Sequence, residues 1–557
     1  MTPPTVSPLK PFVNRAAPSW TAAAAATCIL FTVYAFTLAR GVTPWDAGEF
    51  LTAIHSLGIP HEPGTPHFVL VARVWSMLVG AFTGFTIAVN ALSAVCTAIG
   101  CGILARLLQQ WTRDPIAACA AMVCAGATST LWLNATETEV YACAFLCACL
   151  VLWIGDAAGR ADESHAWRWL VLLAYVAGYG WALHLTALLT MPAALYAAWP
   201  ALRRRSSWRL IAVSLAVIAV VVGASGILFM WIRAQHDPLL NQGNPTTWTT
   251  LWDAVQRRTY AVPALIPRRA PFWLQLGNVI EYADWQFALG FSDHPGPVWS
   301  RTPITMLFVV LGVLGSLAHR RADVRSWRIV LILLVTTSLG VATYTNLRAG
   351  PTFGYGILPD TALREARERD YFFTWAFVCW GMWSGYGAIA FARTKGRFAI
   401  TVASVIAGFP IVGNAAAIWR ERHDEQRATA ERSHALLHDA PPNAVFLAAG
   451  DNDTYPLWYW QEVHSYRRDV TVIPVPMMGA LWYRSELKRR YALLDTAEIT
   501  ALYDANVLMS AIARRASAQG RPVVRSPLWP ASTDSVPACT DRPSPPRCTP
   551  PAGRSTP

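Results

Sequence analysis

The stretch TPWDAGEFLTAIHSLGIPHEPGTPHF, residues 43–68, gathers acidic and basic side chains immediately after an apolar run. At about 1.5 Å per residue, the apolar run 20–38 is long enough as a helix to cross a bilayer core of about 30 Å. The stretch is therefore predicted to begin at a membrane surface. Asp46 and Glu49 are spaced i,i+3, so a helix would place both carboxylates on one face. This spacing is compatible with a two-carboxylate site.

The same two residues have a simpler interpretation. Asp46 could cap a helix over residues 47–57, with Glu49 reaching back to it, because D-x-x-E before an apolar run is a variant of the capping box. The loop that follows contains His61, Pro63, Gly64 and Pro66. Such a loop is stiff and holds its ionisable groups at fixed positions, which favours a site over a cap.

Composition indicates the class of protein. With 557 residues, 54% of them hydrophobic and 14% charged, the chain is too apolar for a soluble protein and is predicted to be a polytopic membrane protein. The net charge of +12 comes largely from short Arg clusters between apolar runs, a pattern typical of topology signals rather than of nucleic-acid binding. Most cysteines lie in or beside apolar runs, so no metal site is expected. Cys539 and Cys548 lie in a Pro-rich tail and could pair in an oxidising compartment.

Apolar runs predict about eleven membrane-spanning helices in a domain that covers residues 19–420. The predicted spans are 20–38, 85–107, 115–133, 140–154, 167–180, 183–198, 210–232, 303–317, 327–344, 372–391 and 398–419. The spans on either side of Gly180 are short, and a tight turn over 177–184 could join them into one broken hairpin. Residues 66–78 are apolar but interrupted by Arg73, so this segment is predicted to lie along the outer surface.

Arg and Lys fall on every second short loop, which predicts the orientation. The clusters are Arg106 with Arg113, Arg160 with Arg168, Arg203 to Arg205, Arg320 with Arg321 and Arg325, and Arg393 with Lys395 and Arg397. With these loops and the N-terminus (1–18) in the cytoplasm, the exterior side has the loops 40–84, 233–302 and 346–371 and the short turns 134–138 and 179–183. The same alternation sends the C-terminal domain outside. A GC-rich bacterial composition suggests the inner (cell) membrane.

Residues 421–526 are predicted to form a small extracytoplasmic α/β domain. Alternating and periodic apolar patterns predict strands at 444–449 and 470–475 and helices at 455–464, 481–492 and 499–516. From residue 527 to 557 the Pro, Ser and Thr content is typical of a disordered tail.

Ionisable residues are almost absent from the middles of the spans, His184 being the nearest to an exception. An ion-coupled transporter would need such groups there, which argues against a pump. Carboxylates collect instead on the exterior side, at Asp46, Glu49, Glu62, Glu137, Glu139, Glu365, Glu368 and Asp370. This distribution favours a catalytic site at the outer surface.

Nucleotide sugars and ATP are absent from that side, so a sugar donor must arrive in the membrane, as polyprenyl-phosphate sugars do. Transfer needs a carboxylate to accept a proton from an acceptor hydroxyl and cations to stabilise the leaving phosphate. Asp46 suits the first role. Arg364, Arg367 and Arg369 suit the second, because guanidinium binds phosphate through two hydrogen bonds. The alternative is a surface helix in which these arginines pair with Glu365, Glu368 and Asp370.

Two further acidic motifs have competing interpretations. Glu137 and Glu139, in ATETEVYA, could favour a helix N-terminus or take part in acceptor or metal binding. Asp451-Asn452-Asp453 has the form D-x-D, which holds a metal and nucleotide sugar in soluble glycosyltransferases. Because this domain is predicted to face away from the nucleotide pool, a turn with Asp451 or Asp453 capping a helix is favoured.

Taken together, several motifs resemble one known family. They are WDAGEF, GIPHEPGTPHF, ATETEVY, GWALHLT, RERDYFF and GDNDTYPLWYWQEVHSYRRDV, in that order over residues 43–476. The family was long catalogued as a membrane domain of unknown function and is now grouped with protein O-mannosyltransferases as glycosyltransferase family 117. In it Asp46 and Glu49 match the acidic pair, and His61, Pro63 and Gly64 match a His-Pro-Pro-Gly stretch in which Glu62 replaces the first Pro.

The resemblance implies a GT-C fold with its active site in the first exterior loop and a polyprenyl- or dolichyl-phosphate sugar as donor. The expected protein is an inverting glycosyltransferase that moves a sugar, mannose first, to a protein Ser/Thr hydroxyl, without a divalent metal or other cofactor. The expected catalytic residues are Asp46, as general base, and Glu49. Donor or acceptor binding is assigned to His61, Glu137, Glu139, His184, Arg364, Arg367 and Arg369. A glycolipid or envelope glycan acceptor, or a lipid-linked-sugar flippase, is the alternative; membrane lipids are expected partners and nucleic acid is not.

Overall fold

The computed structural model describes residues 19–204, 209–259, 265–359 and 361–527. A bundle of helices comes first and a small α/β domain follows it. The predicted cytoplasmic N-terminus, Arg205, the tail from residue 528 and the pair Cys539 and Cys548 lie outside the described residues.

The helices of the bundle follow closely on the predicted apolar runs. The first eleven are Thr21–Phe36 (α1), Ala47–Ser56 (α2), Pro66–Thr83 (α3), Phe85–Thr112 (α4), Pro115–Gly126 (α5), Ser129–Ala135 (α6), Val140–Arg160 (α7), Glu163–Leu183 (α8), Met191–Leu202 (α9), Arg209–Ala224 (α10) and Leu228–Ala234 (α11). The next seven are Trp248–Val255 (α12), Phe272–Asp284 (α13), Thr302–Ala322 (α14), Val324–Val335 (α15), Val341–Thr345 (α16), Thr374–Ala392 (α17) and Arg397–Asp439 (α18).

Each predicted span overlaps one or more helices, but 115–133 and 183–198 are each interrupted by a break between helices. Among the described residues, 8 helices are long and apolar enough to cross a membrane, or up to 9 if α5 and α6, which meet at an angle of 75°, form one broken span. The helix α1 is shorter, at 16 residues. The predicted polytopic helical architecture is confirmed.

The predicted turn at 177–184 is misplaced. Helix α8 continues to Leu183, and the chain turns afterwards through a 3-10 helix, Leu185–Leu188. Helix α9 packs against α7, where Gly155 lies against the backbone of Ala194. The two segments are therefore not a tight hairpin, because α9 finds its partner surface on α7.

Helix α3 is long and apolar enough to span, yet its contacts fit the predicted surface position. Near its start, Nδ1 of His67 lies 3.0 Å from the carbonyl oxygen of Tyr179, at the end of α8. Just after its end, Thr86 lies 2.8 Å from the hydroxyl of Tyr459 in the C-terminal domain. Both ends of α3 thus lie on the side of the bundle that carries the C-terminal domain.

Small residues allow the central helices to approach closely. A Cβ atom at Gly315 in α14 would lie 1.8 Å from the carbonyl oxygen of Trp383 in α17. Helix–helix association in membranes depends on such backbone approach, because lipid provides little hydrophobic driving force between helices. Most of α17 is buried, and α17 lies at the centre of the bundle.

Helix α18 joins the bundle to the C-terminal domain without a break. Its 43 residues make it about 64 Å long, roughly twice the thickness of a bilayer core. The predicted span ends at Trp419 because the apolar signal ends there, but Glu, Arg and Ala favour helix and carry it on to Asp439. The predicted boundary at residue 420 falls inside this helix.

The C-terminal domain has a three-stranded parallel sheet. Its elements are Val445–Ala448 (β1), Asp451–Val463 (α19), Thr471–Pro474 (β2), Leu481–Tyr491 (α20), Thr496–Thr500 (α21), Ala505–Ala518 (α22) and Val523–Arg525 (β3). The strand order is β2-β1-β3, with Val445 opposite both Thr471 and Val523. The α/β prediction is correct, although the three-residue β3 is too short to leave a pattern in the sequence.

Candidate active site

Helix α2 begins directly after Asp46, as the D-x-x-E spacing predicts, but not as a capping box. The Asp46 carboxylate makes no capping hydrogen bond. The Glu49 carboxylate accepts hydrogen bonds from elsewhere rather than from the helix start. The capping interpretation is wrong, because both carboxylates have partners from outside α2.

Asp46 is paired with an arginine from a distant loop. Nη2 of Arg367 donates to Oδ2 of Asp46 at 2.9 Å, and the exposed fractions of the two side chains are 18% and 14%. The guanidinium carbon of Arg367 lies 4.9 Å from the ring centre of Trp45 and 5.1 Å from that of Tyr371. Aromatic faces on a guanidinium fix its plane. The Asp46–Arg367 pair is therefore held in a defined orientation.

Charge governs the protonation of Asp46. Burial alone would raise the pKa of its carboxyl group, but His61, Arg367 and Arg369 together hold that pKa below its usual value. Asp46 is consequently ionised at neutral pH and able to accept a proton.

Glu49 occupies a different environment three residues away. Its side chain is 0% exposed. Oε1 accepts the backbone N–H of His61 at 2.8 Å and also a hydrogen bond from Nε2 of Gln242, and Oε2 lies 2.5 Å from Nδ1 of His61. With its oxygens so occupied, Glu49 holds His61 in place rather than facing a substrate.

His61 is a cation in this site. Burial opposes its charge, but Glu49, and after it Asp46, raises its pKa to about 9. The imidazolium therefore persists at neutral pH and is lost as the pH rises through about 9. It adds a positive charge beside Asp46.

The three candidate arginines have separate positions, and residues 364–369 are not helical. Arg364 donates to the carbonyl oxygens of Gly350 and Phe353 in its own loop. Arg369 donates to the hydroxyl of Tyr371 at 2.5 Å and lies 3.4 Å from Glu365. Arg367 is the arginine that pairs with Asp46.

The predicted surface helix with local ion pairs is therefore wrong for Arg367. The acidic neighbours in the same segment bind other groups. Glu368 accepts from the hydroxyl of Tyr282 at 2.8 Å, and Asp370 accepts from that of Thr130 at 2.6 Å. These bonds fix the loop and leave Arg367 directed at Asp46.

Glu137 and Glu139 have different surroundings. Glu137 accepts from Thr43 at 2.7 Å and from Arg422 of α18 at 2.7 Å, so it ties the first loop to the long helix. Glu139 is 7% exposed, and its Oε2 has no hydrogen-bond partner among the described residues. Burial, then Asp46 and Glu137, raise the pKa of Glu139 well above its usual value. Glu139 can thus offer a neutral carboxyl group to a ligand beside Asp46.

His184 lies at the edge of the site, behind two aromatic rings. Its ring meets that of Tyr141 edge-on at 5.2 Å, and Tyr141 in turn lies 5.0 Å from the ring of Tyr371. Nδ1 of His184 is 2.7 Å from the hydroxyl of Thr186. His184 supports the aromatic wall of the site without joining its charged groups.

The D-x-D segment of the C-terminal domain reaches the site. Asp453 accepts the N–H groups of Ala449 and Gly450 at 3.0 and 2.9 Å, which confirms the predicted turn and cap. Asn452 accepts the N–H of Trp45 at 2.7 Å. Burial, then Asp46 and Glu49, raise the pKa of Asp451 to about 6. The sequence pointed to this segment but gave no sign of its position beside Asp46.

Glu62, which replaces the first Pro of the His-Pro-Pro-Gly stretch, has a local partner. Its carboxylate accepts from the hydroxyl of Thr259 at 2.6 Å and from its N–H at 3.1 Å. These bonds anchor the loop to the 233–302 segment. In the part of the chain that the structure describes, no three His, Cys, Asp or Glu side chains are grouped so as to hold a metal ion.

Two family models match the chain. One, described as the protein O-mannosyl-transferase TMEM260 N-terminal domain, matches residues 46–209. The other, described as TMEM260-associated domain 2, matches residues 429–503. The two matched segments meet at the site, where Gly48 of the first packs against the backbone of Tyr455 of the second.

Among solved structures, ArnT from Cupriavidus metallidurans in the apo state has a TM-score of 0.53 at 12% identity, over 91% of this chain and 94% of that one. ArnT of the same organism bound to undecaprenyl phosphate has a TM-score of 0.44 at 13% identity, over 84% of this chain and 92% of that one. At these identities the first likeness concerns the fold alone.

Fold, site and family models together define a multi-pass integral membrane glycosyltransferase with a GT-C fold. Within that class, residues 46–209 and 429–503 are similar to the TMEM260 family, whose first model is described as a protein O-mannosyl-transferase domain.

Proposed function

We propose that this enzyme transfers a sugar, mannose in the first instance, from a polyprenyl- or dolichyl-phosphate carrier to a Ser/Thr hydroxyl of a protein. The observation that carries the proposal is the Asp46–Arg367 pair, which joins a base for the acceptor to a cation for the donor at 2.9 Å. The TMEM260 model, described as a protein O-mannosyl-transferase, supports both the sugar and the acceptor.

The transfer is a single displacement at the anomeric carbon. The acceptor oxygen forms a bond to that carbon while its proton moves to the Asp46 carboxylate. The bond from the carbon to the phosphate oxygen breaks, and the lipid phosphate leaves with the electron pair. Attack opposite the leaving group inverts the configuration.

Arg367 couples donor binding to the strength of the base. In the structure it neutralises Asp46, and a donor phosphate would compete for the same guanidinium. Once Arg367 turns to phosphate, Asp46 loses an ion-pair partner that lowers its pKa, and it becomes a stronger base. Arg369 and protonated His61 supply further positive charge to the leaving phosphate.

The remaining groups position the substrates. Glu139 presents an unpaired carboxyl oxygen beside Asp46, suited to a sugar or acceptor hydroxyl. Glu49 keeps His61 charged and oriented. Arg364, Glu137 and His184 hold the walls of the site through the contacts described above.

In this proposal no divalent metal takes part, because arginine and histidine cations meet the phosphate charge. Transfer by purified enzyme should therefore persist in excess EDTA. Activity that disappears in EDTA and returns with a divalent ion would replace this part of the mechanism.

The site is proposed to face the extracytoplasmic side of a bacterial inner membrane. The Trp45–Asn452 contact requires the first loop and the C-terminal domain to share one side. Single cysteines near Asp46 and Asp451 should both react with an impermeant thiol reagent added from outside. Labelling from the cytoplasmic side alone would reverse the orientation.

The deciding experiment incubates membranes containing the enzyme with a labelled polyprenyl-phosphate mannose. We expect label to move to protein and to be released by alkaline β-elimination, as an O-linked sugar is. Label in lipid or glycan would identify an envelope acceptor instead. Movement of the intact donor across the membrane, with no new glycoside, would identify a flippase.

A further inference from the structure

The C-terminal domain contributes directly to the geometry of the first loop. Oδ1 of Asn452 accepts the backbone N–H of Trp45, a residue 407 positions away, at 2.7 Å. Trp45 immediately precedes Asp46 and lies over the guanidinium of Arg367. The side-chain amide of Asn452 thus holds the backbone of Trp45, the residue that is next to Asp46 in sequence and in contact with Arg367.

Trp45 has a backbone conformation that needs such support. Its φ of 60° lies in the left-handed region, which is uncommon for a residue other than glycine. A residue held there persists only when its surroundings impose the conformation, and such residues cluster at functional sites. The hydrogen bond from Asn452 provides part of this constraint.

Asn452 is itself fixed by its own domain. Asp453 accepts two backbone N–H groups at the start of α19, so the turn after β1 is closed. In open parallel sheets, ligands bind beyond the carboxyl ends of the strands. Here the crevice beyond β1 receives the Trp45 backbone of the first loop.

Docking of the domain does not depend on Asn452 alone. A Cβ atom at Gly48 would lie 2.6 Å from the carbonyl carbon of Tyr455, which shows how closely α2 and α19 pack. The Thr86–Tyr459 bond is an additional link at 2.8 Å. Loss of the Asn452 bond should therefore release Trp45 while the domain stays in place.

We infer that Asn452 is a positioning residue for sugar transfer: the C-terminal domain holds Trp45, and through it Asp46, in the reactive arrangement. The inference rests on the proposed role of Asp46. Asn452 contacts no reacting atom, so its effect passes through the first loop.

Three substitutions test the inference in the full-length enzyme. Asn452→Leu keeps the size and removes the acceptor, Asn452→Asp keeps an acceptor oxygen and adds charge, and exposed Asn506→Leu in α22 is the matched control. We expect kcat to fall about 10- to 100-fold in Asn452→Leu, because small misplacements of a catalytic group cost about that much. Asn452→Asp should retain more activity than Asn452→Leu. A role in domain stability alone would make the added charge at least as damaging as leucine.

A second measurement is independent of turnover. Hydrogen–deuterium exchange should quicken in the peptide over residues 43–50 in Asn452→Leu, and remain as in wild type in Asn506→Leu. If wild type transfers no sugar, the proposed function fails, while the exchange still tests whether Asn452 holds Trp45. If wild type transfers sugar but Asn452→Leu matches it in rate and exchange, the positioning role of Asn452 is wrong and the proposed function stands. Should Asn452→Leu be absent from membranes, Asn452→Ala takes its place, and a wild-type rate with wild-type exchange in Asn452→Ala overturns the inference.

Discussion

Asp46 and Glu49 lie three residues apart at the start of one helix, yet they occupy opposite environments. Asp46 is partly exposed and pairs with Arg367, whereas Glu49 is completely buried and bonded to His61 and Gln242. The spacing alone made them equivalent candidates. Their partners separate them, because a partly exposed carboxylate can reach an acceptor while a buried one with all its hydrogen bonds made can only orient its neighbours.

The largest effect is expected at Asp46. Asp46→Asn keeps the size and removes the base, so kcat should fall by about two to four orders of magnitude, the usual contribution of a general base. Asp253→Asn, in the exterior segment, is the control and should transfer sugar normally. Steady-state transfer from labelled donor measures the change. Near wild-type activity in Asp46→Asn would mean that Asp46 is not the general base.

Glu49 should affect the pH profile before it affects the maximum rate. His61 has a raised pKa of about 9, so its charge is present at neutral pH and lost as the pH rises through that value. In Glu49→Gln the main cause of the raised pKa is gone and burial remains, so the pKa should fall to about its ordinary value of 6.5 or below. The alkaline limb of kcat/KM should therefore move to lower pH by two or more units. At pH 8.5 the kcat/KM of Glu49→Gln should be lower than that of wild type by a factor on the order of 100.

The control for Glu49 is Glu462→Gln. His55 lies on α2, as Glu49 does, but outside the site. Glu462 of α19 lies 3.6 Å from His55, so the two form another carboxylate–histidine pair. Its pH profile should match that of wild type. Identical profiles for Glu49→Gln and wild type would mean that the charge on His61 is not required.

How much of this site the sequence could predict depends on the distance between partners. Asp46, Glu49 and His61 fall within one short stretch, so spacing and loop stiffness were sufficient to propose them. Arg367 was proposed from the composition of a loop, but its pairing with Asp46 spans 321 residues. Gln242 and Asn452 gave no local signal, because a neutral amide in a loop looks the same whether or not it meets a carboxylate or a strained backbone.

The fold follows the same rule. Apolar runs located the helices of the bundle, since burial in lipid requires continuous apolar sequence. The polar half of α18 and the short strand β3 carry no such pattern and were missed. The packing of α19 on α2 was also not predicted. These two helices lie far apart in the sequence, and nothing in the local pattern of either one shows that they meet.

A smaller effect is expected at Arg367. Arg367→Lys keeps the charge and loses the two-point hydrogen bonding to phosphate, so transfer at low donor concentration should fall about 10-fold and recover as donor is raised. Arg369→Lys should have a weaker effect of the same kind, because Arg369 is already bonded to Tyr371 and Glu365. Arg258→Lys, with a side chain 67% exposed, is the control. Wild-type donor dependence in both Arg367→Lys and Arg369→Lys would remove these arginines from the donor site.

The smallest effect is expected at Asp451, whose carboxyl group influences the site through charge. Asp46 and Glu49 contribute to raising the pKa of Asp451 to about 6, so Asp451 is already neutral at the lower pH at which the Asp46 carboxylate is protonated. Asp451→Asn should therefore leave the acid limb of kcat/KM, which Asp46 sets, where it is in wild type. Above about pH 6 the ionised Asp451 adds a negative charge beside Asp46, and Asp451→Asn removes that charge, so the rate at neutral pH should change less than about threefold. A small step in kcat/KM near pH 6 should accordingly be present in wild type and absent in Asp451→Asn. Asp293→Asn, with a side chain 86% exposed, controls for loss of a surface charge and should keep the step. An acid limb that moves in Asp451→Asn would mean that Asp451 is charged at the pH at which Asp46 titrates, contrary to its raised pKa.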